Sequence, residues 1–184
     1  FKVKKNKING GSIRCFVTHN KNMMYDQKDN IAYLNRLLKN EKKLKVKSTK
    51  IYKKFALNIL KIKIKLKKII ENIKDKNKSI YVLGASTKGN TILQYLDIDN
   101  KIIPFATERN KEKFGAKTIG SNIQIINEYT IKKNPPDYQL VLPWHFKKEI
   151  INREKNYLKN GGKLIFPLPT IQIITKKNYL KNAK

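Results

Sequence analysis

The sequence predicts an α/β fold: a Rossmann-like parallel sheet of about five strands with flanking helices, preceded by a long amphipathic helix. Three observations carry this. From Ser79 onward, short apolar runs alternate with stretches of helical periodicity. The first run, Ile80-Tyr81-Val82-Leu83, passes at once into a turn of small residues and then into Ile92, Leu93 and Leu96 at helical spacing. Upstream, Tyr52 to Ile73 carries a long apolar stripe between lysines, with no Gly or Pro.

In order, Ile8 to Val17 reads as a Gly10-Gly11 turn and a strand, in which Ile13, Cys15 and Val17 alternate with other residues. No partner strand is expected for it before Ile80. Asn20 to Lys28 is a polar connector. Asp29 to about Lys74 is helical, with Ile31, Leu34, Leu37 and Leu38 on one side. The stripe Phe55, Ile59, Ile62, Leu66, Ile69, Ile70 and Ile73 suits packing on a sheet better than lying on a membrane surface. Lys101 to Thr107 is the second strand, with Pro104 suggesting an edge or bulged position. Ile123 to Ile126 is the third, followed by a short helix capped by Asn127. Tyr138 to Trp144 is the fourth. Phe146 to Leu158 is helical, Asn160-Gly161-Gly162 turns the chain, and Lys163 to Leu168 is the fifth strand.

The turn Gly84 to Asn90 has a physical use. Gly84, Ala85, Ser86 and Gly89 leave room for a ligand near the backbone. The helix N-terminus, Lys88 and the hydroxyls of Ser86 and Thr87 favour an anion such as a phosphate. The spacing approaches a P-loop, but Asn90 occupies the lysine position, and Ser86 replaces the second glycine of GxGxxG. The plainer alternative is a strand-to-helix turn that is small only for packing. At the end of the second strand, Glu108 and Arg109 stand where a Rossmann-like unit meets ribose or phosphate. Trp144 and His145 follow the fourth strand.

Length and composition set bounds. With 184 residues, one domain with an attached piece of another is expected. The start on Phe1, entering a strand-like run, reads as cut from something longer. No apolar run approaches the roughly 18 residues of a membrane helix. One cysteine, Cys15, excludes an internal disulfide framework, and His19 and His145 are too few for a complete zinc site. A reducing, cytoplasmic setting fits. The net charge of +29 invites a nucleic-acid reading, but only Arg14, Arg36, Arg109 and Arg153 are arginines. Scattered lysine with abundant Asn and Ile is what an AT-rich coding sequence drifts toward. No specific nucleic acid is expected, only weak polyanion binding at low salt.

Taken together, INGGSIR, strand-GASTKGN-helix, Glu108-Arg109-Asn110, PDYQLVLPWHF and GGKLIFPLP resemble the C-terminal domain of the sugar C-methyltransferases, in the right order from about Ile8 to Pro169. The resemblance implies a Rossmann-like domain that holds a nucleotide-diphosphate sugar. In that family, catalysis depends on S-adenosylmethionine, and the methyl-donor site, the zinc cysteines and a Tyr/Glu/His cluster all lie upstream of INGGSIR. The chain would then be a fragment that binds neither cofactor and is inactive alone, with a separate SAM-binding chain as a possible partner. Residues 1–28 would be the remnant of the upstream domain, 29–175 the Rossmann-like domain and 176–184 a basic tail. The substrate-binding set would be Gly84, Ala85, Ser86, Lys88, Gly89, Asn90, Glu108, Arg109, Trp144 and His145. Glu108 and His145 stand where the family has Asp and Asn. A histidine beside a tryptophan serves packing or hydrogen bonding more often than base catalysis. The competing readings are a basic nucleic-acid-binding module and a stand-alone nucleotide-binding α/β enzyme. The first calls for clustered arginines and exposed aromatics. The second calls for a convergent catalytic set, which the spacing of His145, Glu149, Glu108 and Cys15 does not suggest.

Overall fold

The structure, a computed structural model, describes residues 1–22 and 28–183. Part of the connector expected from Asn20 to Lys28 therefore lies outside the described residues. The chain divides into two compact units, Phe1–Ile59 and Leu60–Lys184.

In the first unit, β1 (Lys2–Asn6) and β2 (Ser12–Phe16) form an antiparallel hairpin. The strand at Ile13 to Cys15 thus has a partner before Ile80, contrary to expectation: the lysine-rich opening supplies it, because a two-stranded ribbon needs backbone pairing more than apolar alternation. The connection is a 3₁₀ turn, Ile8–Gly10, with Gly10 and Gly11 at φ 88° and 124°. Only glycine takes such angles without strain. Asn6 Oδ1 accepts the Ile8 N–H at 2.9 Å and lies 2.6 Å from the Ser12 hydroxyl. Helix α1 (Lys28–Leu44) packs on β1 and ends where Lys45 takes φ 55°. The helical stretch expected from Asp29 to about Lys74 is divided there, and α2 (Thr49–Asp75) begins beyond the break and contains the long helix expected from Tyr52 to Ile73.

The second unit holds the C-terminal part of α2 and the sheet. Its remaining elements are β3 (Ile80–Leu83), α3 (Thr87–Tyr95), β4 (Phe105–Glu108), β5 (Gln124–Asn127), β6 (Tyr138–Val141), α4 (Lys147–Arg153), α5 (Lys155–Lys159), β7 (Lys163–Phe166), β8 (Gln172–Ile174) and α6 (Tyr179–Ala183). The six strands run in the order β5-β4-β3-β6-β7-β8. Five are parallel, as the sequence predicts, and β8 adds an antiparallel edge. Pro104 precedes β4, which lies between β3 and β5 and is not an edge strand. The proline costs no ladder bond because it stands outside the strand.

Alternation along the strands separates two cores. Ile80, Val82, Ala106, Ile125 and Leu140 meet Leu66, Ile70 and Ile73 of α2 and Leu93 of α3. On the other face, Leu83, Val141, Leu164 and Phe166 meet Ile150 and Ile151 of α4, Leu158 of α5 and Tyr179 of α6. The last four residues of the α2 stripe thus pack on the sheet as expected, with Leu66, Ile70 and Ile73 buried, while Phe55 near its start is exposed. Residues 176–184, read as a tail, contain α6, which packs on α4.

The strand order reverses direction at β3, where one connection leads out to β4 and another returns from β5 to β6. Ligands of open α/β sheets collect beyond the carboxyl ends of the strands at such a point. The return connection carries only a 3₁₀ turn, Thr130–Lys132, where a longer helix would cover the second face. That economy leaves space over β3, β4 and β6.

Candidate functional site

Two adjoining cavities open from the switch point. The first, about 420 Å³, lies under the return connection and is lined by Leu83, Thr107, Gln139, Tyr157 and residues of the 3₁₀ turn. The second, about 390 Å³, lies at the strand ends and is lined by Gly84, Ser86, Glu108, Pro143, Phe146 and Glu149. Leu83, Thr107, Arg109, Glu128 and Arg153 line both. Each volume falls in the range of about 300–1,000 Å³ typical of small-molecule sites.

The turn after β3 is held by its own surroundings. The Gly84 N–H donates to Thr107 O at 2.8 Å. Gly84 has φ 86°, and a Cβ there would stand 2.8 Å from Pro143 Cδ, so the position requires glycine twice over. Ser86 caps α3: its Oγ accepts the Gly89 N–H at 3.1 Å and its carbonyl accepts the Asn90 N–H at 3.0 Å. Gly89 is buried, and a Cβ there would stand 2.5 Å from Leu142 Cδ1. Its small size serves the packing of α3 on β6, not the approach of a ligand.

Glu108 does not reach outward. Its Oε1 accepts the N–H groups of Arg109 at 2.7 Å and Asn110 at 3.2 Å, and its Oε2 accepts that of Ala85 at 3.1 Å. Lys113 Nζ donates to Ala85 O at 2.9 Å and lies 3.7 Å from Glu108 Oε2. Burial raises the Glu108 carboxyl, but these three N–H bonds and the Lys113 charge outweigh it and hold the pKa below its ordinary value. The acid therefore closes the turn, and one of the N–H groups expected to meet a phosphate is already bonded.

Two arginines meet a carboxylate where the cavities join. Arg109 Nε and Arg153 Nη2 each stand 3.4 Å from a Glu128 carboxylate oxygen, and Arg153 Nε donates to Glu154 Oε1 at 2.8 Å. Burial pushes the Glu128 carboxyl up against the lowering effect of both guanidiniums. Two of the four arginines in this lysine-rich chain thus meet at the junction of the cavities.

This chain belongs to the C-methyltransferase C-terminal domain family. The family's model matches residues 7–169. The chain is also 30% identical over 129 residues to the C-methyltransferase NovU of Streptomyces niveus, an alignment covering 70% of this chain and 31% of that protein.

Against the site expected from the family, Gly84, Ser86, Glu108 and Arg109 line the second cavity. Ala85 and Gly89 are buried behind it, and Asn90 Oδ1 is buried without a hydrogen-bond partner among the described residues. Trp144 packs against the second core, and its ring meets His145 edge-on at 5.7 Å. Neither lines the two cavities, so the structure does not bring Trp144 to a ligand in them. Burial, with the Lys88 charge, lowers the His145 pKa; Lys88 itself lines neither of the two cavities. Three contributors escaped the sequence reading. Arg153 carried one signal, the rarity of arginine, and Glu128 carried none. Gln139 carried another: it is a lone amide inside the apolar run Tyr138 to Leu142.

Gln139 is 3% exposed, and its Oε1 has no hydrogen-bond partner among the described residues. Leaving such a group unsatisfied costs about 1–3 kcal/mol. Among the described residues, no group of three or more His, Cys, Asp and Glu side chains could hold a metal ion, and no helix is long and apolar enough to cross a membrane.

Proposed function

We propose that this chain is the nucleotide-sugar-binding domain of a SAM-dependent sugar C-methyltransferase. The observation that carries the reading is the convergence of Arg109 and Arg153 on the junction of two cavities at the switch point of the sheet. Guanidinium forks suit diphosphate, and the helix N-terminus after Ser86 with Lys88 adds positive potential nearby. Family membership supports a methyltransferase setting.

The residues of this chain do not fit the methyl donor itself. The acid at the end of the second strand, which in dinucleotide folds binds a ribose, is spent on Ala85, Arg109 and Asn110 N–H groups. The chain spans 31% of NovU. On this reading, S-adenosylmethionine and zinc belong to another part of the parent protein or to a partner chain, and the present chain binds and orients the acceptor sugar without catalysing transfer alone. The lone exposed Cys15 suits a reducing cytoplasm.

The test is calorimetric titration of dTDP- and UDP-sugars at fixed moderate salt, with wild type, Arg153→Ala and Lys88→Ala. Charge-assisted bonds of roughly 1.5–3 kcal/mol predict losses of about ten- to a hundredfold. Unchanged affinity in both variants overturns the reading. Salt must be held fixed because a +29 chain attracts any diphosphate when screening is weak.

A further inference from the structure

We propose that the cavity floored by Gln139 takes the nucleobase, and that the Gln139 amide pairs with a base edge presenting an N–H beside an acceptor. The inference rests on the nucleotide-sugar reading and adds to it the direction in which the ligand lies.

The floor is built into the middle of the sheet. Gln139 pairs with Tyr81 of β3 on one side and Leu164 of β7 on the other. Its neighbours Leu140 and Val141 are fully buried aliphatics. An apolar side chain would satisfy such a position, and buried amides are normally hydrogen-bonded. Here Oε1 is buried with no partner among the described residues, and the side chain lines the cavity. Oε1 requires a donor, and Nε2 of the same amide offers donors in return. A phosphate or a carboxylate supplies acceptors alone. An aliphatic group supplies neither function. A nucleobase edge supplies both, side by side in one plane: an imide N–H beside a carbonyl in uracil and thymine, an amino group beside a ring nitrogen in cytosine and adenine.

The walls agree. The Tyr157 O–H donates to Pro136 O at 2.9 Å, with Lys163 O at 3.3 Å sharing the same proton, so its ring is the face it offers a ligand. The Thr107 hydroxyl is likewise committed, donating to Val82 O at 3.2 Å. Asn156 and Asn160 also line this cavity, but of its lining side chains Gln139 is the one with a buried polar atom left unpartnered among the described residues. The mouth of this cavity carries Arg109 and Arg153, which it shares with the cavity at the strand ends. A nucleotide sugar entering base-first places its diphosphate at the arginines and its sugar beside Gly84, Ser86 and Glu149.

The experiment titrates the full chain with dTDP, UDP, CDP, ADP and inorganic pyrophosphate at one salt concentration, comparing wild type with Gln139→Met. Methionine keeps the bulk and removes the amide, so the variant is expected to melt no lower than wild type. At least one nucleoside diphosphate should bind wild type about tenfold tighter than pyrophosphate, the effect expected of one buried hydrogen-bonded pair. Gln139→Met should abolish that advantage and leave pyrophosphate unaffected. The preferred base then distinguishes the imide edge from the amino edge. If UDP is preferred, N3-methyl-UDP must lose the advantage with wild type, a check that needs no variant. If Gln139→Met keeps the full advantage, the base lies elsewhere and the inference fails while the nucleotide-sugar reading stands. If no nucleoside diphosphate outbinds pyrophosphate, both fall.

Discussion

Glu108 Oε2 accepts the Ala85 N–H at 3.1 Å, so the end of the second strand is tied to the turn that follows the first. Because the folded-state pKa of Glu108 is lowered, its contribution to stability is fully present above the unfolded value of about 4.3 and is lost as pH falls through the folded value. Glu108→Gln keeps the shape and loses the charge. The variant should be less stable at pH 7 by about 1–3 kcal/mol, with the gap to wild type narrowing below about pH 4. Urea unfolding at a series of pH values measures this; a gap that is constant with pH would contradict it.

Gly89 faces Leu142, with 2.5 Å between an added Cβ and Leu142 Cδ1. Gly89→Ala should therefore destabilise the protein despite its better helix propensity, by about 1–3 kcal/mol of overpacking. Gly89→Val should cost more. Thermal unfolding with a double-mutant cycle to Leu142→Ala checks the pairing: the two changes should be less than additive. Ligand affinity corrected for folded fraction should not fall in Gly89→Ala, since the contact lies behind the turn.

His145 is held below its ordinary pKa by burial and then by the Lys88 charge. A histidine kept neutral in this way contributes stability above the unfolded pKa of about 6.5, and that contribution fades as pH drops through the folded value. Lys88→Ala should move the His145 titration midpoint upward, toward 6.5, without reaching it, because burial remains. NMR titration of the imidazole reads this directly. A midpoint that does not move would separate Lys88 from His145 and from the site they are expected to share.

The sheet was legible because its signals are local. Ile80 to Leu83, Ile123 to Ile126, Tyr138 to Trp144 and Lys163 to Leu168 are short apolar runs bounded by turns, and all four hold strands, the last two ending early at Val141 and Phe166. The β1 partner of β2 was not legible, since Lys2 to Asn6 alternates little and pairs through its backbone. The interior place of β4 was also hidden, because Pro104 stands one residue outside the strand. At the site, the turn could be located but not its bonding. Which way Glu108 points depends on Ala85, 23 residues away in sequence. The junction of Arg109, Glu128 and Arg153 draws on three separate segments, and only the fold brings them together.

That junction supports the last prediction. Glu128 is 15% exposed in its side chain and stands 3.4 Å from both guanidiniums. Any anion entering there competes with this carboxylate for the same donors. Glu128→Gln keeps the size, removes the competing charge and leaves two arginines facing the cavities. Burial already outweighs the two guanidiniums at Glu128, so removing its charge should leave stability at pH 7 unchanged or slightly higher. Affinity for inorganic pyrophosphate at fixed salt should rise severalfold, and its salt dependence should steepen as the local positive charge grows. Calorimetric titration at two salt concentrations measures both quantities. A fall in affinity would reverse the assignment, making Glu128 the group that holds the arginines in place for the ligand. In that case Glu128→Asp, with the charge kept on a shorter arm, should restore part of the binding.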